Sequence, residues 1–294
     1  MVNLKVLPNY LIKRNIAILK RAGIDISKES YFILILFAIL LPITIKYVVG
    51  LNVESTSILI VMYLLSILVL PSVLYENKIE KFEKNLPRAL YVMILSLESG
   101  NSIIDAINEV INSGIEEVDI VFLKIIMLMT DKKLSFEDAM TLVSNSIDSK
   151  IFRQVGRLII ENKKYGGELA EALGTLAKTL EDLQNLKGQL LSVTANGLAV
   201  GLIIICGVIP ATAGIVGGYL NAISSMAPNI APVTSEQFAK AMENVQIGGG
   251  LFGILFAIPL FGLKANRMIL TCTLCMTFSI VAFFGTTYLT KMLF

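Results

Sequence analysis

The sequence predicts an all-α, polytopic membrane protein with about five transmembrane helices and a cytoplasmic domain of the six-helix-bundle type. Three observations predict it. Only 16% of the 294 residues are charged and the mean hydropathy is +0.73. A soluble domain carries roughly 25% charged residues, so lipid is part of this chain's solvent. Five apolar stretches are long enough to cross a hydrocarbon core of about 30 Å, which takes about 20 helical residues. Between Glu76 and Leu190 the apolar residues recur at helical spacing, with no strand-type alternation to compete.

The membrane segments come first along the chain. The first runs from Tyr31 to Gly50 and the second from Thr56 to Tyr75, with a tight turn around Asn52 to Ser55. The third begins near Leu191 and continues to Leu220, too long for one straight crossing, so Pro210 is expected to kink it. A short, glycine-rich fourth covers Ile247 to Leu263, and a fifth covers Met268 to Leu289. Basic residues near the segment ends set the orientation. Residues 1–30 carry Lys5, Lys13, Arg14, Lys20, Arg21 and Lys28 against Asp25 and Glu29, which places the N-terminus in the cytoplasm. The region 31–75 is then a transmembrane hairpin, 76–190 a cytoplasmic domain, and 191–294 a second transmembrane region whose loop 221–246 is external. The basic N-terminal stretch shows no signal-peptide pattern. Its residues from Asn9 to Ala22 form a loosely amphipathic helix suited to an anionic lipid surface or to a partner.

Small residues in these segments predict close helix packing. Gly197 and Gly201 are four apart, as are Gly214 and Gly218, and Gly249 and Gly253 repeat the spacing. Such spacing lets helices approach in lipid, within one chain or between two copies.

The domain at 76–190 holds fourteen basic and eighteen acidic residues, so it is mildly acidic. Its first helix continues from the second membrane segment through Leu86, Leu90, Met93 and Leu97, with Pro87 marking a kink or a new start and Gly100 the end. Further helices are expected at 102–112, 116–130, from Ser135, at 149–163, and from Glu168 into the third membrane segment. Three helix starts share one pattern: Asn101-Ser102-Ile103-Ile104-Asp105-Ala106-Ile107, Leu134-Ser135-Phe136-Glu137-Asp138-Ala139-Met140, and Gly167-Glu168-Leu169-Ala170-Glu171-Ala172-Leu173. A cap position, an acid in the first turn and a small residue for close packing recur in each. Ser135 with Asp138 has the spacing of a capping box with Asp in place of Glu.

Several chemistries are excluded. Without histidine there is no Ser-His or Cys-His nucleophile pair and no His-ligated metal. None of the five apolar segments contains an acid, as an intramembrane aspartyl protease would require. No Walker-type phosphate loop is present, since Tyr165-Gly166-Gly167 lacks the following Lys-Ser/Thr. Cys206, Cys272 and Cys275 lie in apolar stretches and are expected to be buried thiols. The chain is therefore expected not to be an enzyme and to bind no cofactor, metal or nucleic acid. A small polytopic transporter or channel is the rival class, although such proteins place ionisable groups near the midplane and this chain has almost none there.

The ordered motifs resemble those of the type II secretion system protein F family, the membrane platform proteins of type IV pilus-like machines. The resemblance covers roughly Glu83 to Val216 and rests on Leu86-Pro87, Ser99-Gly100-Asn101-Ser102, Asp105-Ala106, Leu134-Ser135-Phe136-Glu137-Asp138-Ala139, Tyr165-Gly166-Gly167-Glu168-Leu169 and Ala172-Leu173, then a polar helix entering a segment with Pro210. A two-segment hairpin before a single such domain is most similar to the tight-adherence or archaeal-type branch. The resemblance implies a platform in the cell membrane that couples a cytoplasmic hexameric secretion ATPase to pilin-like subunits, without covalent chemistry. A single domain, where other branches carry two, implies pairing with a second copy or a paralogue. The expected partner-binding residues are Lys132, Lys133, Lys163 and Lys164 in two basic turns, with Glu168 and Glu171. Pro87, Gly100, Gly166 and Gly167 are expected to shape turns, and Gly197, Gly201, Pro210, Gly214 and Gly218 the membrane packing.

Overall fold

A computed structural model of the chain describes residues 7–163, 166–226 and 234–293. Eleven α-helices and one π-helical segment are formed among the described residues, and no strand. In order they are α1 (Leu7–Ala22), α2 (Lys28–Val49), α3 (Val53–Glu98), α4 (Ile103–Asn112), α5 (Val118–Lys132), α6 (Phe136–Ser146), α7 (Lys150–Asn162), α8 (Gly166–Leu202), the π segment Ile203–Val208, α9 (Ile209–Met226), α10 (Ser235–Phe261) and α11 (Ala265–Leu293). Five stretches are long and apolar enough to cross a membrane: 28–49, within 53–98, within 169–223, 236–261 and 265–293. The chain is an all-α, multi-pass integral membrane protein. It divides into two compact units, one of residues Tyr75–Leu190 and one of the residues before and after them.

In the membrane unit, α11 packs against both α9 and α10. Glycines make this possible. A Cβ on Gly214 would collide with the Phe283 carbonyl and the Thr286 hydroxyl, and one on Gly218 would come within 2.8 Å of Thr290 Cβ. On the other side, a Cβ on Gly249 would strike Ser279, and one on Gly253 would lie 3.0 Å from the Thr271 carbonyl oxygen. These two pairs therefore bring helices of one chain together. Gly201 faces the Phe256 ring of α10, whereas no atom of the described residues lies within 4 Å of a Cβ built on Gly197. Side-chain hydrogen bonds add to the packing: Ser66 Oγ to Thr273 Oγ1 (2.7 Å), Gln246 Nε2 to the Ser55 carbonyl (3.1 Å) and Thr287 Oγ1 to the Gly214 carbonyl (3.1 Å). The three cysteines are buried.

Several elements differ from the sequence expectation. Most of the loop expected at 221–246 is helical, because α9 extends to Met226 and the Thr234–Gln237 capping box starts α10 at Ser235. The first hairpin turns at Gly50, in the left-handed region at φ 72°, and Ser55 already lies inside α3. The third crossing is interrupted just before Pro210 by the π segment, where the Ile209 N–H reaches back five residues to the Ile204 carbonyl. Proline cannot return a hydrogen bond to the preceding turn and its ring crowds that turn, so a widened turn there accommodates it.

Prolines elsewhere do not end helices, since α3 continues through both Pro71 and Pro87. A proline leaves the carbonyl four residues earlier without its helix donor. For Pro71 that carbonyl belongs to Ile67, and the Tyr31 hydroxyl of α2 donates to it at 3.4 Å. Tyr31 in turn accepts from Asn15 of α1, whose amide also donates to the Leu68 carbonyl. The N-terminal helix thus turns Asn15 and Leu19 inward against its own chain, leaving Lys13, Arg14, Lys20 and Arg21 exposed.

Candidate docking surface

The Tyr75–Leu190 unit surrounds one core to which all six of its helical segments contribute. Leu86, Leu90 and Met93 of α3 meet Ile107 and Val110 of α4, Phe122 and Ile125 of α5, Met140 and Val143 of α6, Phe152 and Ile159 of α7, and Leu173 and Ala177 of α8. Phe152 stands edge-on to Phe82 at 5.1 Å between ring centres and to Phe122 at 6.0 Å. Burying the Val, Leu, Ile, Phe and Met side chains among these supplies about 1.5–3 kcal/mol each before conformational entropy is counted.

Glu83 ties three helices together. Its carboxylate accepts the Ser149 hydroxyl at 2.7 Å, and Ser149 caps α7 by accepting from the Phe152 N–H. The Glu83 carbonyl is the one freed by Pro87, and Gln184 Nε2 of α8 donates to it at 3.0 Å. Pro87 is therefore a junction with α8, and α3 runs on through it, so no new helix starts at this position. Nothing in the local spacing marks the Glu83–Ser149 and Glu83–Gln184 contacts, because the partners lie 66 and 101 residues apart.

The two basic turns lie at the same end of this unit. Lys163, after α7, reaches the first turn of α6, where it pairs with Glu137 at 2.8 Å and sits 5.2 Å above the Phe136 ring. Lys132 ends α5 and Lys133 stands in the turn before α6, both exposed and without an ion pair among the described residues. Lys133 is left-handed at φ 51°. Glycine would hold that turn with less strain, so the lysine side chain is what this position adds to the surface. Asp131, Glu137 and Asp138 share this end, which makes it mixed in charge instead of simply basic.

The hydrogen bond from Lys163, and then Glu137's own backbone hydrogen bond, hold the Glu137 carboxyl below the usual carboxylate range. Its folded-state pKa is depressed, so the pair's contribution is present above the unfolded value and is lost as pH falls through the folded value. Both partners are exposed, so that contribution is small. Lys163→Ala should return the Glu137 titration toward the ordinary carboxylate range, read from side-chain carbonyl chemical shifts. An unmoved midpoint would disprove the assigned cause.

The three patterned helix starts do not behave alike. Ser102 forms a complete capping box with Asp105, and Ala106 is fully buried. Ser135 caps α6 and Ala139 is fully buried, but the Ser135 backbone N–H does not bond to the Asp138 carboxylate, which accepts only the Ser135 hydroxyl, so only the serine half of that box forms. In the third, α8 already begins at Gly166, so Glu168 lies inside the helix and Ala172 is half-buried. Gly166 and Gly167 thus open α8, correcting their assignment to a turn. Gly100 does sit in a turn, at φ 83°. Glu171 is exposed on α8. Lys164 and the Glu168 side chain lie outside the described residues.

Residues 89–217 match the model of type II secretion system protein F. An uncharacterized protein of Methanocaldococcus jannaschii is 48% identical over 288 residues, covering 95% of this chain and 96% of that relative. No solved structure matches.

Proposed function

Because this chain belongs to the type II secretion system protein F family, whose members are structural membrane platform proteins of secretion or pilus systems, we propose that it couples a cytoplasmic hexameric ATPase to the assembly of pilin-like subunits. The observation that carries this reading is one six-helix unit of this family, Tyr75–Leu190, in a chain with five membrane-crossing stretches. The basic residues of 1–30 favour a cytoplasmic N-terminus, which puts the helical unit on the side where ATP is hydrolysed. A platform of this kind transmits force and needs no nucleophile, base or metal of its own. The single domain behind a two-crossing hairpin favours the tight-adherence or archaeal-type branch.

On this reading the end of the unit bearing Lys132 and Lys133 contacts the ATPase. Its two lysines, without an ion pair among the described residues, can meet acidic groups, while Lys163 is engaged by Glu137. Inside-out membrane vesicles carrying the full chain should bind the secretion ATPase of the same cell, and right-side-out vesicles should not. Reversing both lysines (K132E and K133E) should weaken binding roughly tenfold, chiefly through the association rate, with a matching loss of salt dependence. Absence of binding by either vesicle type, or equal binding by both, would refute the proposal.

A further inference from the structure

Helix α1 carries its charge on one face and turns its other face to its own chain. Lys13, Arg14, Lys20 and Arg21 are exposed, and none forms an ion pair among the described residues. At about 100° per residue, Lys13 and Lys20 fall in one column and Arg14 and Arg21 in the next. Ala17 lies between the columns, one turn from each of the four bases, and it too is exposed. The four cations therefore surround a small side chain within about 120° of the helix circumference. The acids that follow in sequence, Asp25 and Glu29, lie beyond the end of α1 at Ala22. Like charges in neighbouring columns repel, and an anion seated over Ala17 would relieve all four at once.

The opposite face is occupied. Asn15 and Leu19 are both buried. Asn15 Nδ2 donates to the Tyr31 hydroxyl of α2 at 2.8 Å and to the Leu68 carbonyl of α3 at 3.1 Å. One side chain thus grips both helices of the hairpin. Tyr31 opens the first apolar stretch, directly after Lys28 and Glu29. Leu68 stands near the end of the second, which gives way to Glu76 and Lys78. Asn15 therefore fixes α1 where the apolar stretches pass into charged sequence, the depth at which lipid headgroups lie.

These observations separate the ways in which a basic helix can be used. An ordinary amphipathic helix sinks its apolar face among the acyl chains. In α1 that face is committed to α2 and α3, so the contact left to it is electrostatic. A stable protein interface centres on large apolar and aromatic side chains. Between Ile12 and Ala22 no large apolar side chain is exposed, since Leu19 is buried and Ile12, Ile16 and Ile18 are half-buried. Phosphodiester headgroups ask only for positive charge and hydrogen-bond donors, which two guanidinium and two ammonium groups supply.

We infer that Lys13, Arg14, Lys20 and Arg21 of α1 form a binding face for anionic phospholipid headgroups, centred on Ala17 and aimed by the buried Asn15. The face involves no ATPase, so its test stands apart from that of Lys132 and Lys133. Each base near an anionic surface enriches the lipid roughly fivefold, and salt screens the attraction.

The test uses the full chain in phosphatidylcholine nanodiscs, with a water-soluble fluorophore on Ile24→Cys. That position is 38% exposed and follows α1, so the surroundings of Ala17 stay open, and the buried native cysteines remain in place. Trace amounts of spin-labelled phosphatidylglycerol or spin-labelled phosphatidylcholine quench the dye, which compares the two headgroups beside this face. Phosphatidylglycerol should be enriched, and high salt should remove the enrichment. Lys13→Gln together with Lys20→Gln should lower it roughly fivefold or more, and Lys13→Arg with Lys20→Arg should keep it. Taking the same charge from exposed residues of the helical unit, with Lys124→Gln and Lys178→Gln, should leave it unchanged. Equal quenching by the two lipids in the parent chain would overturn the inference and leave the basic face to an acidic protein. An enrichment that survives Lys13→Gln with Lys20→Gln, or that the Lys124 and Lys178 changes lower as much, would overturn it too.

Discussion

Alanine at Gly214 or Gly253 is expected to lower the unfolding temperature of the membrane unit sharply, each change costing about 1–3 kcal/mol as overpacking. Both positions abut backbone, which cannot step aside as a flexible side chain can. Gly214 faces the Phe283 carbonyl, and Gly253 faces the Thr271 carbonyl and the Cys272 Cα, all on α11. Alanine at Gly285, on α11 with nothing within 4 Å of its Cβ position, is the matched control and should cost little. Thermal unfolding of the purified chain in detergent, followed by burial of an introduced thiol, gives the comparison. If Gly214→Ala and Gly253→Ala behave like Gly285→Ala, α11 does not sit between α9 and α10 at this distance. The double variant should cost nearly the sum, because the two sites face different neighbours.

Gln184→Ala should destabilise the helical unit by about 1–3 kcal/mol, the cost of leaving a partly buried carbonyl without a donor. The carbonyl concerned is that of Glu83, left open by Pro87. That origin makes a sharp test possible. Pro87→Ala supplies the missing N–H, so in that background Gln184→Ala should cost at least about 1 kcal/mol less. Chemical denaturation of the four proteins of this cycle measures the coupling. Additive costs would mean that Gln184 acts through packing alone and that the proline leaves no orphan group behind. Pro87→Ala by itself also trims a buried ring, so only the coupling, and not its single effect, bears on the idea.

How far the sequence could be read follows from the range of each interaction. The five crossings and the helical unit rest on local composition and spacing, and both were legible. The Ser102 and Ser135 caps were legible for the same reason, since each partner lies three residues on. That α3 continues through Pro87 was not legible, because the group that takes up the freed carbonyl is Gln184, 101 residues away. Lys163 read as a free basic turn because Glu137, its partner, is 26 residues earlier on another helix. The glycine pairs were visible as spacing, but spacing alone could not name α11 as their partner or separate Gly197, which meets nothing, from Gly214. The loop expected at 221–246 was drawn from polarity, whereas a capping box at Thr234 and Gln237 begins a helix within it.

The π segment at Ile203–Val208 has a consequence for how one helix can serve two neighbours. In an uninterrupted α-helix, seventeen residues from Gly197 to Gly214 would turn the side-chain direction by about 260°. One extra residue taken up in a wide turn reduces this to about 160°, so the two glycines point almost diametrically apart. The segment acts as a phase shifter. Before it, the rotational frame offers Gly197 to open space; after it, the frame turns Gly214 and Gly218 onto α11. Deleting a single residue from this stretch would put the two stripes out of step, whichever residue was removed.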